Sequence, residues 1–354
     1  MNAASRERRL VFAIPGDIDT RSGGYGYDRR MIEELRAIGW TVEHLQLPGG
    51  FPEPSESELA ETAEKLAALA DDSLVLIDGL AFGAMPAIAM EEATRLRMIA
   101  LVHHPLALES GIPAGVAERL RKSEMTALGA AKGVVVTSPS TARTLVSQFR
   151  VAPDLVRVAV PGTEQAKPAS GSTAGDGVII LSVGSLTQRK DHAALISALE
   201  RISDRPWQCR IAGSDDMDRQ CAADLRRQIE ACGLSDRVTL TGALDDVAVE
   251  YAQADIFALA SQYEGYGMAF AEAMVRGLPI VGCRGGAIPD LVTDDAGILV
   301  EPGDIAGLAE ALALLIDQPE TRQAYSAGAL AVGQQLPDWP ATAKVLSDFL
   351  EEMR

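Results

Sequence analysis

The sequence predicts an α/β protein of two doubly wound, mostly parallel sheets. Three observations carry that expectation. Short aliphatic and β-branched runs recur without polar alternation, each run is followed by a longer helical pattern, and one Gly/Pro/Ser-rich stretch divides the series in two. Runs without alternation mark strands buried on both faces, and right-handed crossovers then lay helices over an open sheet. A chain of 354 residues, 47% of them apolar, suffices for two such domains.

The first series opens with Leu10-Val11-Phe12-Ala13-Ile14. A glycine-rich loop follows, Gly23-Gly24-Tyr25-Gly26, and then a helix is expected from about Tyr27 to Ile38, stopped at Gly39. Strand-like runs return at 42–47, 74–77, 98–102, 133–137 and 156–160. The stretch 161–177 has no apolar period and reads as the interdomain linker. The second series runs through 178–183, 209–212, 238–240, 256–259, 279–281 and 297–300, with no short-period repeat. The expected division is a domain over 1–163, a linker over 164–176, a domain over 177–338 and a last helix within 339–354. In such sheets ligands bind outside the carboxyl ends of the strands, so the strand-end loops are expected to line a cleft between the domains.

Composition narrows the function. The formal charge is −18, from 50 acidic and 32 basic residues, which opposes general nucleic-acid binding and strong attraction to an anionic membrane. Few aromatics, 5%, argue against base stacking on single strands. The acidity is uneven: residues 1–160 hold 17 basic and 21 acidic side chains, and the remainder 15 and 29. Arg6, Arg8 and Arg9 form a small basic cluster that reads as a solvated terminus. Cys209, Cys221, Cys232 and Cys283 form no C-x-x-C pair and have no histidine at metal spacing, which fits a reduced, cytoplasmic compartment. Residues 1–9 lack the apolar core of a signal peptide. The most apolar window, 74–90, is broken by Asp78, Gly79, Gly83 and Pro86, so no membrane span is expected, only transient contact with a membrane surface at most.

The most informative stretch is Glu264-Gly265-Tyr266-Gly267-Met268-Ala269-Phe270-Ala271-Glu272. Glu264 follows the apolar run 256–259. Gly265 and Gly267 permit a tight turn and close approach of a ligand, and an alanine-rich helix opens near Met268. A helix N-terminus favours an anion, and two carboxylates accept from neutral hydroxyls, so the segment suits a sugar and a ribose beside a phosphate. A second loop, Gly184-Ser185-Leu186-Thr187-Gln188-Arg189-Lys190-Asp191, follows the run 178–183. Asp191 can cap the next helix, and Arg189 and Lys190 supply positive charge for a leaving diphosphate. In the first domain His103 and His104 end the run 98–102, where an imidazole could bond a sugar hydroxyl or stabilise developing charge. The amides of the glycine loop at 23–26 could approach a phosphate or an acceptor hydroxyl. Asp17 with Asp19, and Asp216 with Asp218, have metal-like spacing but read as turn and loop residues, so no metal site is expected.

Together these segments resemble the retaining GT-B glycosyltransferases, group 1 (family 4-like) branch. The resemblance rests on 264–272, Gly277-Leu278-Pro279-Ile280-Val281, Gly285-Gly286-Ala287-Ile288-Pro289-Asp290 and Gly297-Ile298-Leu299-Val300-Glu301-Pro302-Gly303-Asp304. In the first domain it rests more thinly on Gly23-Gly24, His103 and Ser138-Pro139-Ser140-Thr141. It implies two Rossmann-like domains, the first for acceptor and the second for nucleotide sugar, with the last helix packing back on the first. It assigns Glu272 to the ribose hydroxyls, Glu264 to the donor sugar, and Lys190 with Arg189 to the diphosphate. Gly184, Ser185, Gly265, Tyr266 and the amides of Gly267, Met268 and Ala269 would surround the donor. His103 would contact the donor sugar, with His104 its rival in register, and Gly23, Gly24, Tyr25 and His104 would meet the acceptor. Ser185 stands where the family often has arginine, and Asp290 where glutamate is commoner.

The activity so implied is transfer of a hexose from a nucleoside diphosphate sugar to an acceptor hydroxyl with retention, in polysaccharide, lipopolysaccharide or glycoconjugate synthesis. It needs neither cofactor nor metal. The acceptor would be a sugar, a lipid-linked molecule or a small metabolite. The alternatives are a nucleotide-sugar epimerase or phosphorylase on the same fold, or a non-catalytic nucleotide-sugar-binding subunit.

Overall fold

Parallel strand pairing organises both halves of the chain. The computed structural model describes residues 8–173 and 177–354. Arg6 of the N-terminal basic cluster and the last three positions of the expected linker lie outside the described residues. The chain divides into two units, Met1–Gly162 with Pro337–Arg354, and Thr163–Leu336.

The first unit holds strands β1 (Arg9–Pro15), β2 (Thr41–Leu47), β3 (Leu74–Asp78), β4 (Arg97–Val102), β5 (Gly133–Val136) and β6 (Val156–Val158). They form one sheet in the order β2-β1-β3-β4-β5-β6, with every pair parallel. β3 and β5 are buried at every position, as their unbroken apolar runs require. Val75, Ile77, Met98, Ala100, Val134 and Val136 form the centre of this core. After β2 the chain crosses to the other side of β1, so the topological switch lies between β1 and β3.

One local expectation needs correction. Gly23-Gly24-Tyr25-Gly26 is not a loop but the first turn of the helix Gly23–Ala37. Ser22 caps that helix from extended backbone, its Oγ accepting from the Tyr25 amide at 3.3 Å, and the Gly26 amide donates to the Ser22 carbonyl. Each glycine costs the helix about 1 kcal/mol relative to alanine. Burial of Tyr27, Met31, Ile32 and Leu35 further along the same helix offsets that cost.

The last helix, Trp339–Glu352, lies in this unit against the helix Gly23–Ala37. Trp40 Nε1 donates to Ser347 Oγ at 2.9 Å and Thr342 Oγ1 to the Val160 carbonyl at 2.8 Å. Its buried positions Trp339, Thr342, Ala343, Leu346 and Leu350 fall at helical spacing on one face.

The second unit holds β7 (Val178–Val183), β8 (Trp207–Ala212), β9 (Val238–Gly242), β10 (Ile256–Leu259), β11 (Ile280–Cys283) and β12 (Gly297–Val300). Their order is β12-β11-β10-β7-β8-β9, again all parallel. Here the switch lies between β7 and β10. The loops leaving those two strands therefore share one end of the sheet although 74 residues separate Lys190 from Glu264. The boundary between the units falls at Gly162 and Thr163, ahead of the expected linker. Residues 164–173 lie on the second unit. The Ala169 amide bonds to the Arg276 carbonyl, the Ser170 amide to that of Ala252, and Asp255 accepts from the Ser172 and Ile179 amides. A polar stretch without apolar period still orders when its amides find partners on a folded surface. All four cysteines are free thiols.

Candidate active site

The loop after β7 is built by three anchors. Leu186 is buried at its centre, a 3-10 turn follows at Gln188–Lys190, and Asp191 stands at φ +47° and caps the helix His192–Arg201 through its bond from the Ala194 amide. Beneath the loop lies His192, fully buried. Its Nε2 faces the Gly184 carbonyl at 3.2 Å and its Nδ1 faces Ser182 Oγ at 3.4 Å. A carbonyl only accepts, so Nε2 carries the proton and Nδ1 receives the serine hydroxyl. Burial holds the imidazole neutral by pushing its pKa down to about 4. Gly213 lets the neighbouring strand end approach, since a Cβ there would lie 1.9 Å from the Gly184 carbonyl oxygen.

The loop after β10 meets this one directly. Lys190 Nζ lies 2.5 Å from Glu264 Oε1, Ser261 Oγ donates to the same oxygen at 2.5 Å, and Arg189 Nη1 lies 3.4 Å from Oε2. Arg189 Nη1 also donates to the Tyr263 carbonyl at 2.9 Å, and the Gln262 amide to the Arg189 carbonyl. Glu264 is only 6% exposed. Burial alone would raise its pKa, but Lys190 and Arg189 outweigh burial and hold it below the usual carboxylate range. The backbone of Glu264 pairs with Gly286 in a parallel bridge, and its carbonyl accepts from the Ala287 amide. Two cations and one carboxylate thus stand together with a net positive charge, at the point where the strand order reverses.

Past Gly265 and the buried Tyr266, Gly267 adopts φ +100° as the N-cap of the helix Met268–Met274. No side chain caps this helix. Glu272 sits in it, and its Oε2 accepts from the Tyr251 hydroxyl at 3.0 Å. Burial raises the Glu272 pKa, opposed by the Tyr251 bond and by Arg276.

In the first unit His103 directly follows β4 and is held by two carboxylates. Its Nε2 is 3.0 Å from Asp28 Oδ1, on the helix Gly23–Ala37, and 3.5 Å from Asp78 Oδ2, at the end of β3. Both aspartates are buried. Burial works against charge on the ring, but Asp28 and Asp78 outweigh it and lift the His103 pKa to about 10. Among the described residues these three are the one group whose ligand atoms lie close enough, within 4.8 Å of one another, to share a cation. Both carboxylates meet the same ring nitrogen, so Nε2 carries a proton. Gly24 packs on the same ring, a Cβ there falling 3.4 Å from its Cδ2. His104 pairs instead with Glu109, 3.6 Å away. The Tyr25 hydroxyl donates to the Pro15 carbonyl at 2.8 Å. Of the aspartates with metal-like spacing, Asp17 accepts from the Asp19 amide, Asp216 bonds Ser214 and Asp218 caps a helix, all local turn contacts.

Sequence reasoning missed Asp28, Asp78, His192 and Tyr251. Asp78 had a signal, a carboxylate closing an apolar run just before Gly79. The other three lie inside helical patterns, where nothing local distinguishes them.

Residues 164–331 match the profile of the family described as Glycosyl transferases group 1. The chain is 27% identical over 311 residues to an MMP alpha-(1->4)-mannosyltransferase of Mycolicibacterium hassiacum, covering 81% of this chain and 70% of that protein. It is 30% identical over 236 residues to a D-inositol 3-phosphate glycosyltransferase of Corynebacterium diphtheriae, covering 60% of this chain and 54% of that one. The chain thus spans little more than half of the second relative. Among solved structures it resembles the sucrose-phosphate synthase of Thermosynechococcus elongatus, with a TM-score of 0.82, 21% identity, and coverage of 97% of this chain and 99% of that one. It also resembles the HepE protein of Anabaena, solved in complex with UDP-glucose, with a TM-score of 0.76, 17% identity, and coverage of 97% and 99%. Together with the two parallel six-stranded sheets, these likenesses show the GT-B fold.

Proposed function

We propose that this chain, which belongs to the group 1 glycosyltransferases, moves a hexose from a nucleoside diphosphate sugar to an acceptor hydroxyl with retention at the anomeric carbon. The observation that carries the reading is the cluster of Lys190, Arg189 and Glu264 at the carboxyl ends of β7 and β10. A diphosphate gains negative charge as it leaves, and fixed cations stabilise it without reorganisation. In this reading Lys190 and Arg189 meet the diphosphate, Glu264 accepts from sugar hydroxyls, and Glu272 accepts from the ribose. The amides of Gly267, Met268 and Ala269, with Gly184 and Ser185, line the donor. His103 donates a hydrogen bond from a charged ring, and Gly23 and Gly24 meet the acceptor.

The chemistry needs no enzymic nucleophile. The bond from the anomeric carbon to the donor phosphate oxygen breaks, the acceptor oxygen bonds to that carbon from the same face, and the acceptor proton passes to the departing phosphate. The protein supplies position and charge. Two cations beside the phosphates do the work a metal would otherwise do, and no cofactor is required. The donor class has support from the relatives: one is named a mannosyltransferase, and the Anabaena structure holds UDP-glucose. Among the described residues no helix is long and apolar enough to cross a membrane, which is compatible with a sugar, a small metabolite or a lipid-linked acceptor presented at a surface.

A panel of uridine, guanosine and adenosine diphosphate sugars tests this by thermal stabilisation and slow nucleotide release. One donor should stabilise the wild type selectively and fail to stabilise Lys190→Ala and Glu272→Ala. A folded wild type that responds to none would overturn the reading.

A further inference from the structure

Tyr251 lies in the short helix Ala248–Gln253 and is fully buried. Its hydroxyl stands 3.0 Å from Glu272 Oε2 and 3.1 Å from the Ala269 carbonyl, so a single proton faces two acceptors. The ring cannot turn away from them. Phe257 stacks on it with centroids 6.1 Å apart and planes 21° from parallel, and the Arg276 guanidinium lies 4.9 Å from its centroid. Arg276 Nη1 in turn donates to the Glu272 carbonyl at 2.8 Å. Tyr251 and Arg276 together therefore fix both the side chain and the backbone of Glu272. Among the described residues the hydroxyl is the single hydrogen-bond donor to the Glu272 carboxylate. Among the described residues no donor bonds the other oxygen, Oε1.

A glutamate in a helix has three rotatable side-chain bonds, and a free carboxylate at its end samples many orientations. Tying one oxygen to a rigid ring leaves the second in one place, ready to accept from a ligand hydroxyl. We infer that Tyr251 is a positioning residue for the nucleotide ribose. Its hydroxyl holds Glu272 so that the carboxylate accepts from the vicinal ribose hydroxyls of a nucleoside diphosphate. This rests on the donor-site reading above and assigns that site a part carried by a residue that never touches the donor.

The test removes the hydroxyl and keeps the ring. In calorimetry with UDP, GDP and ADP, each beside its 2′,3′-dideoxy counterpart, the wild type should prefer the ribose form of its cognate nucleotide by about tenfold or more. In Tyr251→Phe that preference should fall to about threefold or less, with affinity for the dideoxy form within about twofold of wild type. Donor KM should rise in step while kcat stays unchanged. A variant that keeps the full preference overturns the inference and leaves the donor site standing. A variant weakened equally toward both nucleotide forms shows a packing role and overturns it too. A wild type that does not distinguish ribose from dideoxyribose overturns the donor-site reading itself. Glu272→Gln serves as the second variant. It should lose the ribose preference whether or not Tyr251 is present, so a Tyr251→Phe/Glu272→Gln double variant should be no worse than Glu272→Gln alone, and an additive loss would also overturn the inference.

Discussion

Lys190 Nζ and Glu264 Oε1 stand 2.5 Å apart, at the ends of two strands that are neighbours in the sheet and distant in the chain. The pair has two consequences that can be measured separately. Glu264 is buried, so its charge depends on the cation beside it, and in the proposed function that cation is the one that meets the diphosphate. Lys190→Ala leaves Arg189 and Ser261 to carry the carboxylate alone. Stability should fall by about 2 kcal/mol in denaturant unfolding, less than for a fully isolated buried charge. Turnover of the cognate donor should fall by about 100-fold or more. Unchanged turnover in a folded variant would remove Lys190 from the site.

Gly286 sets the position of Glu264 from the other side. It adopts φ +62°, and a Cβ there would lie 2.2 Å from the Glu264 carbonyl oxygen. Gly286→Ala meets backbone and not a flexible chain end, so the loop after β10 must shift. The expected cost is about 3 kcal/mol, with turnover falling well beyond what partial unfolding accounts for. Thermal unfolding and donor turnover at a temperature where the variant is fully folded check both parts.

His192 predicts an acid-side loss of stability. Its pKa is about 4 when folded against an ordinary imidazole value of 6.5, so between those values the unfolded chain binds the extra proton. Its contribution is therefore fully present above pH 6.5 and is lost as pH falls toward 4. The size is about 3 kcal/mol. His192→Gln can still donate to the Gly184 carbonyl but does not titrate. The stability difference between wild type and variant should change over that window and be constant above it. A flat difference from pH 4 to 7 would show that His192 is not neutral and buried as described.

Asp28 governs the charge of His103. With both carboxylates beside it the ring stays protonated up to about pH 10. Asp28→Asn removes the nearer one and must lower the His103 pKa, because the remaining burial favours the neutral ring. Nitrogen-15 spectra of the four histidines would follow this directly. The wild-type His103 signal should stay that of an imidazolium through pH 8, and the variant should titrate below that. An identical titration in both proteins would show that the Asp28 bond does not set the charge.

The sequence by itself determined the two parallel α/β units and the place of all twelve strands, and it singled out Lys190, Arg189, Glu264, Glu272 and His103 as candidates at strand ends and in the helix after β10. Those features are local: an unbroken apolar run, a glycine turn, a charged residue at a strand end. It could not place the first turn at Gly23, because glycine's weak helix propensity is outweighed by the Ser22 cap and by burial further along the helix. Nor could it show that 164–173 lie on the second unit, since the partners of those amides are Ala252, Asp255 and Arg276, remote in the chain. Only the tertiary structure decided that Glu264 is joined to Lys190, Glu272 to Tyr251, His103 to Asp28 and Asp78, and His192 to Gly184. The physical reason is common to the long-range pairs among these. Strand order in a doubly wound sheet is set by crossovers, and each crossover brings side chains from 21 to 75 residues apart into contact. The His192 bond has a different cause, a helix whose first residue is buried under the loop that precedes it. Sequence periodicity reports which face of an element is apolar, and it is silent on which neighbour that face will meet.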